Sequence, residues 1–173
     1  MTYINVKTEI DNSKKLNLID IEFIDELIGS TEDILKSLFG EANDIAQNFW
    51  QAHDIKRTTN KKSNYSFLTL RVKPTISSEK WIGSFSIIWS NSKCVKENGQ
   101  WVQRSEQIKR GKKSSYSMRS FKKSHAWEYE YVTELEPIFA QIRIASLAVS
   151  KARMSLIHAK KCIISAKKST NQI

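Results

Sequence analysis

Residues 94–102 read Cys-Val-Lys-Glu-Asn-Gly-Gln-Trp-Val, and this stretch decides the fold. Asn98-Gly99 readily supplies the two positive φ angles of a type I′ turn, whose twist matches that of paired antiparallel strands. A two-residue turn pairs Glu97 with Gln100, Lys96 with Trp101 and Val95 with Val102. The flanking segments are therefore two strands of one sheet.

Working outward, the strand after the turn runs from Trp101 to about Ile108. Before the turn, Phe85, Ile87 and Trp89 alternate with Ser84, Ser86 and Ser90, the period of a strand with one buried face. Leu68, Leu70 and Val72 alternate with Phe67, Thr69 and Arg71 in a further strand, which Pro74 is expected to end. Lys56 to Asn64 is polar and basic and reads as a loop.

The outer parts of the chain are helical. Residues 1–15 show no clear period and are expected to be mobile in part. Leu16, Ile19, Phe23, Ile24, Leu27 and Ile28 form one helical stripe, punctuated by Gly29 and Ser30. A second helix is predicted from a Ser30 or Thr31 cap to about His53, with Leu35, Leu38, Ala42, Ala46 and Phe49 on its apolar face. A long helix is predicted from about Ala126, capped by Ser124, with acids early and bases late as the helix dipole favours. Pro137 is expected to kink it or to open a new helix. The fold class is α+β: two N-terminal helices, a three-stranded antiparallel sheet, and a long C-terminal helix packing on both. Residues 1–60 form an acidic helical region and residues 61–173 a basic sheet-and-helix region, together one compact unit.

Charge separates these regions. The chain carries a net charge of +10 over 173 residues. Residues 1–55 hold four Lys and eleven acids, whereas residues 56–173 hold the other 24 bases and seven acids. A basic body attracts polyanions through counterion release. The acidic part either folds back on that body or faces a protein partner. No apolar run approaches a membrane span, and Met1 is not followed by the pattern of a secretory signal. Cys94 and Cys162 have no partner motif, so two free thiols in the cytoplasm are expected.

Enzymatic constellations are scarce, and no catalytic activity, cofactor or metal is expected. His53, His125 and His158 lack metal-ligand spacing. Glu128, Glu130, Glu134 and Glu136 could hold a metal in principle, but read better as a solvated helix face. The segment Lys109–Lys123, KRGKKSSYSMRSFKK, is different: it holds Lys109, Arg110, Lys112, Lys113, Arg119, Lys122 and Lys123 and no acid. Tyr116, Met118 and Phe121 among those cations look like pins that seat the connection between sheet and helix. An ordinary basic surface loop would need no such anchors. On the sheet, Arg71 and Lys73 lie opposite the apolar face of their strand, and Lys93, Arg104 and Lys109 are expected on that same outer surface. Trp89 and Trp101 can each be a core aromatic or a stacking platform, with core the better bet. These eleven cations are the candidate nucleic-acid contacts, mostly to phosphates, with any base discrimination falling to Arg71, Arg104 and their neighbours on the sheet.

The runs RVKPT, FSIIW, IKRGKKSSYSMRSFKK and HAWEYEYVTELEPIFAQIR resemble the MobI family of conjugative-transfer proteins. The likeness covers about half of the chain, from the strand region to the middle of the last helix. The order strand–strand–strand–helix, with SFKK before HAWE, also looks like the arm-site DNA-binding domain of tyrosine integrases. The first resemblance implies an accessory factor that binds duplex DNA at the origin of transfer and acts with a relaxase without nicking. A dimeric helical adaptor for a protein partner, possible because the long helices can pair with a second copy, and an RNA or single-strand binder are the alternatives.

Overall fold

The computed structural model describes residues 20–59, 66–77, 80–122 and 124–170. Two long helices carry the architecture. Helix α1 spans Ile21–Thr59 and α2 spans Ala126–Thr170. At 1.5 Å per residue they are about 58 and 67 Å long. Between them lie strands β1 (Ser66–Ser77), β2 (Lys80–Glu97) and β3 (Gln100–Gln107), in sheet order β1-β2-β3, and a 3₁₀ turn at Met118–Phe121.

The expected break at Gly29 is absent, so there is one N-terminal helix where two were predicted. Carbonyls three and four residues back take up the two hydroxyls expected to cap a second helix. Ser30 Oγ donates to the Glu26 carbonyl and Thr31 Oγ1 to the Ile28 carbonyl, so both hydroxyls bond backward into the helix instead of capping a new one. A mid-helix glycine costs about 1 kcal/mol, too little to end a helix whose face is buried on both sides of it. That face comprises Ile24, then Leu35, Ala42, Ala46, Phe49 and His53. The helix also runs past His53 into the segment predicted as a loop; residues 60–65, like residues 1–19, lie outside the described residues.

α2 is likewise continuous through Pro137. Proline removes one N–H at that position, and the packing of Val132, Phe139 and Ile142 in the core holds the helix on either side. The two helices run antiparallel. Phe49 meets Tyr131 edge-to-face at 6.0 Å, Glu32 pairs with Arg153, and Lys160 Nζ lies 2.6 Å from Asp25. The acidic helix thus folds back on the basic one.

The hairpin forms in the register read from Asn98-Gly99: Glu97 pairs with Gln100, Lys96 with Trp101 and Val95 with Val102. Asn98 and Gly99 both have positive φ, at 49° and 82°. β1 does not end at Pro74; it continues to Ser77 past a register shift between Pro74 and Ile76. Because β1 is an edge strand, a residue without an N–H is tolerated there. One core joins the layers. Ala42, Ala46 and Phe49 of α1, Leu68, Leu70, Ile87 and Trp89 of the sheet, and Val132, Phe139 and Ile142 of α2 form a single cluster.

Candidate nucleic-acid interface

The basic segment between β3 and α2 crosses the core with its apolar side down. Ile108, Tyr116 and Phe121 are buried, and Met118 is packed against them. Phe121 and Tyr116 lie 6.0 Å apart, and Phe121 contacts Trp89 at 5.8 Å. Lys109, Arg110, Lys112, Lys113, Arg119 and Lys122 all point to solvent. Lys123 lies outside the described residues.

Buried carboxylates hold this segment in place. Glu136 Oε1 accepts the Tyr116 backbone N–H at 2.8 Å and Arg143 Nη1 at 2.7 Å. Its Oε2 accepts the Trp89 indole N–H at 2.8 Å and Arg143 Nη2 at 3.2 Å. Arg143 then donates from Nη1 to the Ser114 carbonyl, and its guanidinium sits 5.0 Å from the Tyr116 ring centre. Strand, basic segment and helix meet on one side chain.

Glu128 does the same at the other end. Its Oε1 accepts the Leu68 N–H at 2.7 Å and lies 3.3 Å from His53 Nε2, and its Oε2 accepts the His125 N–H at 3.0 Å. His125 is therefore the cap residue, with Glu128 at the third helical position reaching back as in a capping box. The Ser124 hydroxyl, expected to cap, donates to the Phe121 carbonyl instead.

The solvated-face reading of the four glutamates is thus half corrected. Glu130 and Glu134 are exposed, but Glu128 and Glu136 are buried. A signal was present in the sequence: residues 128, 132, 136, 139 and 143 are spaced 4, 4, 3 and 4 apart, so Glu128, Glu136 and Arg143 share a stripe with Val132 and Phe139. Among the described residues no group of three or more His, Cys, Asp or Glu side chains is placed to hold a metal.

The sheet cations divide between two faces. Arg71 pairs across the ladder with Ile88 and Lys73 with Ser86, whereas Lys93 pairs with Arg104. Successive side chains on β2 alternate, so residues 88 and 93 face opposite ways. Arg71 and Lys73 stand on the face opposite Trp89. Lys93 and Arg104 lie on the Trp89 face, where they line a cavity with Ser124 and Glu128; all four cations are exposed. The expectation that they share one surface is corrected. Arg104 is also engaged: its Nε and Nη2 donate to Glu97 at 3.0 and 2.7 Å. Those bonds hold the Glu97 carboxyl below the usual carboxylate range and push Arg104 up. Trp89 is fully buried, while Trp101 is 63% exposed and stands across from Lys96. The outer face also carries Gln103 and Gln107, missed in the sequence because neither is charged.

Fold and charge together define a basic α+β protein in which an antiparallel helix pair backs a three-stranded sheet. The family model described as MobI protein matches residues 38–157, and the chain belongs to the MobI family. That makes it a mobilisation-related protein. The match begins inside α1, ahead of the strand region, and includes the whole basic segment. No curated protein and no solved structure matches the chain. Among the described residues, no helix is long and apolar enough to cross a membrane.

Proposed function

We propose that this protein is a DNA-binding accessory factor of conjugative mobilisation, which recognises origin-of-transfer DNA and assists a relaxase without nicking. One observation carries the proposal: six cations are displayed on a segment whose backbone is tied to the buried Glu136 and whose aromatic side chains are buried under it. Cations held on a fixed backbone meet phosphates with less ordering cost than those on a free loop. The outer sheet face adds Arg71, Lys73, Gln103 and Gln107, residue types that bond guanine and adenine edges in a major groove.

Competition of duplex DNA against single-stranded DNA and RNA, at one physiological salt concentration, tests the ligand class. Duplex DNA carrying the transfer origin should displace the other two. Preferential retention of RNA or single strands would remove the duplex assignment and favour stacking on the exposed Trp101.

A second reading has its own observation. Ile144, Leu147 and Met154 are exposed along α2, at spacings of three and seven residues. Such a stripe suits a helical adaptor that pairs with a second copy. Sedimentation equilibrium distinguishes them: a dimer lost on Leu147→Lys supports that reading, and a monomer removes it.

A further inference from the structure

Strand β2 changes partners along its length. β1 covers one edge up to Lys93, but β3 covers the other edge only from Ser90 onward. The chain leaves the ladder just after Ile108 donates its N–H to the Trp89 carbonyl at 2.9 Å. Before Ser90, no strand among the described residues lies beside that second edge. Strand alternation directs the N–H groups of Phe85 and Ile87 to the same side as the Trp89 carbonyl. Two backbone donors therefore face the open edge, each beside the carbonyl of its own residue, so it is the neighbouring cations that make the corner favour an anion.

A cavity of about 320 Å³ occupies this corner, at the small end of the range for ligand pockets. Its walls are Phe85 and Ile87 of β2, Arg110, Lys112 and Lys113 of the basic segment, and Ser150 of α2. Among the described residues, no carboxylate lines it. A second cavity of similar size, about 330 Å³, sets Lys93 and Arg104 against Glu106 and Glu128, so its charges offset one another. At the base of the cationic cavity lies Arg143, its side chain only 7% exposed and its Nε buried without a partner among the described residues. Arg143 is neutralised by Glu136, so the three exposed cations set the sign of the pocket.

We infer that this corner is a phosphate-binding pocket that seats one backbone phosphodiester of bound DNA. Arg110, Lys112 and Lys113 supply the charge. The Phe85 and Ile87 N–H groups and the Ser150 hydroxyl supply directed hydrogen bonds, the combination that makes an anion site more than a charged patch. The identity of the ligand as DNA rests on the function proposed above; the anion chemistry of the pocket does not.

Ser150→Glu puts a carboxylate into the pocket and leaves every cation in place. It should weaken duplex binding about tenfold and flatten the slope of log K against log salt by about one. Ser155→Glu, at an exposed position five residues further along α2 and on a different face of it, should change affinity by less than about twofold. Equal affinities of the two variants overturn the pocket. If Ser150→Glu does not fold, Ser86→Glu, from an exposed lining position, carries the same expectation. Inorganic phosphate titrated into the wild-type chain, followed by amide NMR, forms the second arm and should shift the Phe85 and Ile87 signals. Shifts in a chain that binds no duplex support the pocket and overturn DNA as its ligand. Still amides, with duplex binding indifferent to Ser150→Glu, overturn the pocket and leave the DNA reading standing.

Discussion

Glu136 Oε1 accepts the backbone N–H of Tyr116 at 2.8 Å inside the core, so a carboxylate on α2 carries the surface segment that displays most of the cations. The same carboxylate neutralises Arg143 and bonds the Trp89 indole. Removing its charge strands a buried guanidinium. Glu136→Gln should therefore lower the unfolding free energy by about 3–5 kcal/mol, the range for breaking a buried pair from one side. Glu134→Gln, at an exposed position two residues away, should stay within about 0.5 kcal/mol. Denaturant unfolding of both variants checks this, and equal losses would contradict it.

Gly29 sits within a continuous α1, and a methyl group added there meets nothing within 4 Å. Gly29→Ala should raise stability by about 0.5–1 kcal/mol, because alanine loses less backbone freedom on entering a helix. Thermal unfolding gives the sign directly. A lower melting temperature would point to a helix break at this position.

The exposed pair of Glu97 and Arg104 gives the hairpin a pH signature. The Arg104 side chain lowers the Glu97 carboxyl, chiefly by its hydrogen bonds. A depressed carboxyl contributes stability above its ordinary range and loses it as pH falls through the lowered value. Exposed pairs contribute little, so the clean readout is the titration itself. The Glu97 carboxyl carbon should titrate at lower pH in the wild type than in Arg104→Gln. Coincident midpoints would show that the pair does not form in solution.

Much of the sheet was legible because Asn98-Gly99 fixes a local geometry that needs no tertiary context, and the ladder follows from it. The pins of the basic segment were legible too, since Tyr116 and Phe121 have no other use among so many cations. Gly29 misled because its cost is small beside that of exposing the apolar face of α1. Charge alone puts Glu128 and Glu136 on a solvated face, while their position in the buried stripe, next to Val132 and Phe139, decides where they point. The partners that make their burial tolerable, Leu68, His53, Trp89 and Tyr116, come from distant parts of the chain and only meet on folding. Lys93 is a simpler case: counting by twos along β2 from the buried Trp89 reaches it, which puts it on the core side.

The most direct measurement is duplex affinity over a range of salt for the wild type and a variant with Lys112, Lys113, Lys122 and Lys123 replaced by alanine. Each lysine that touches a phosphate releases about one counterion, so the variant should bind more weakly, with a slope of log K against log salt shallower by about three to four. An affinity and a slope unchanged from the wild type would contradict the assignment of this segment as the DNA-binding surface.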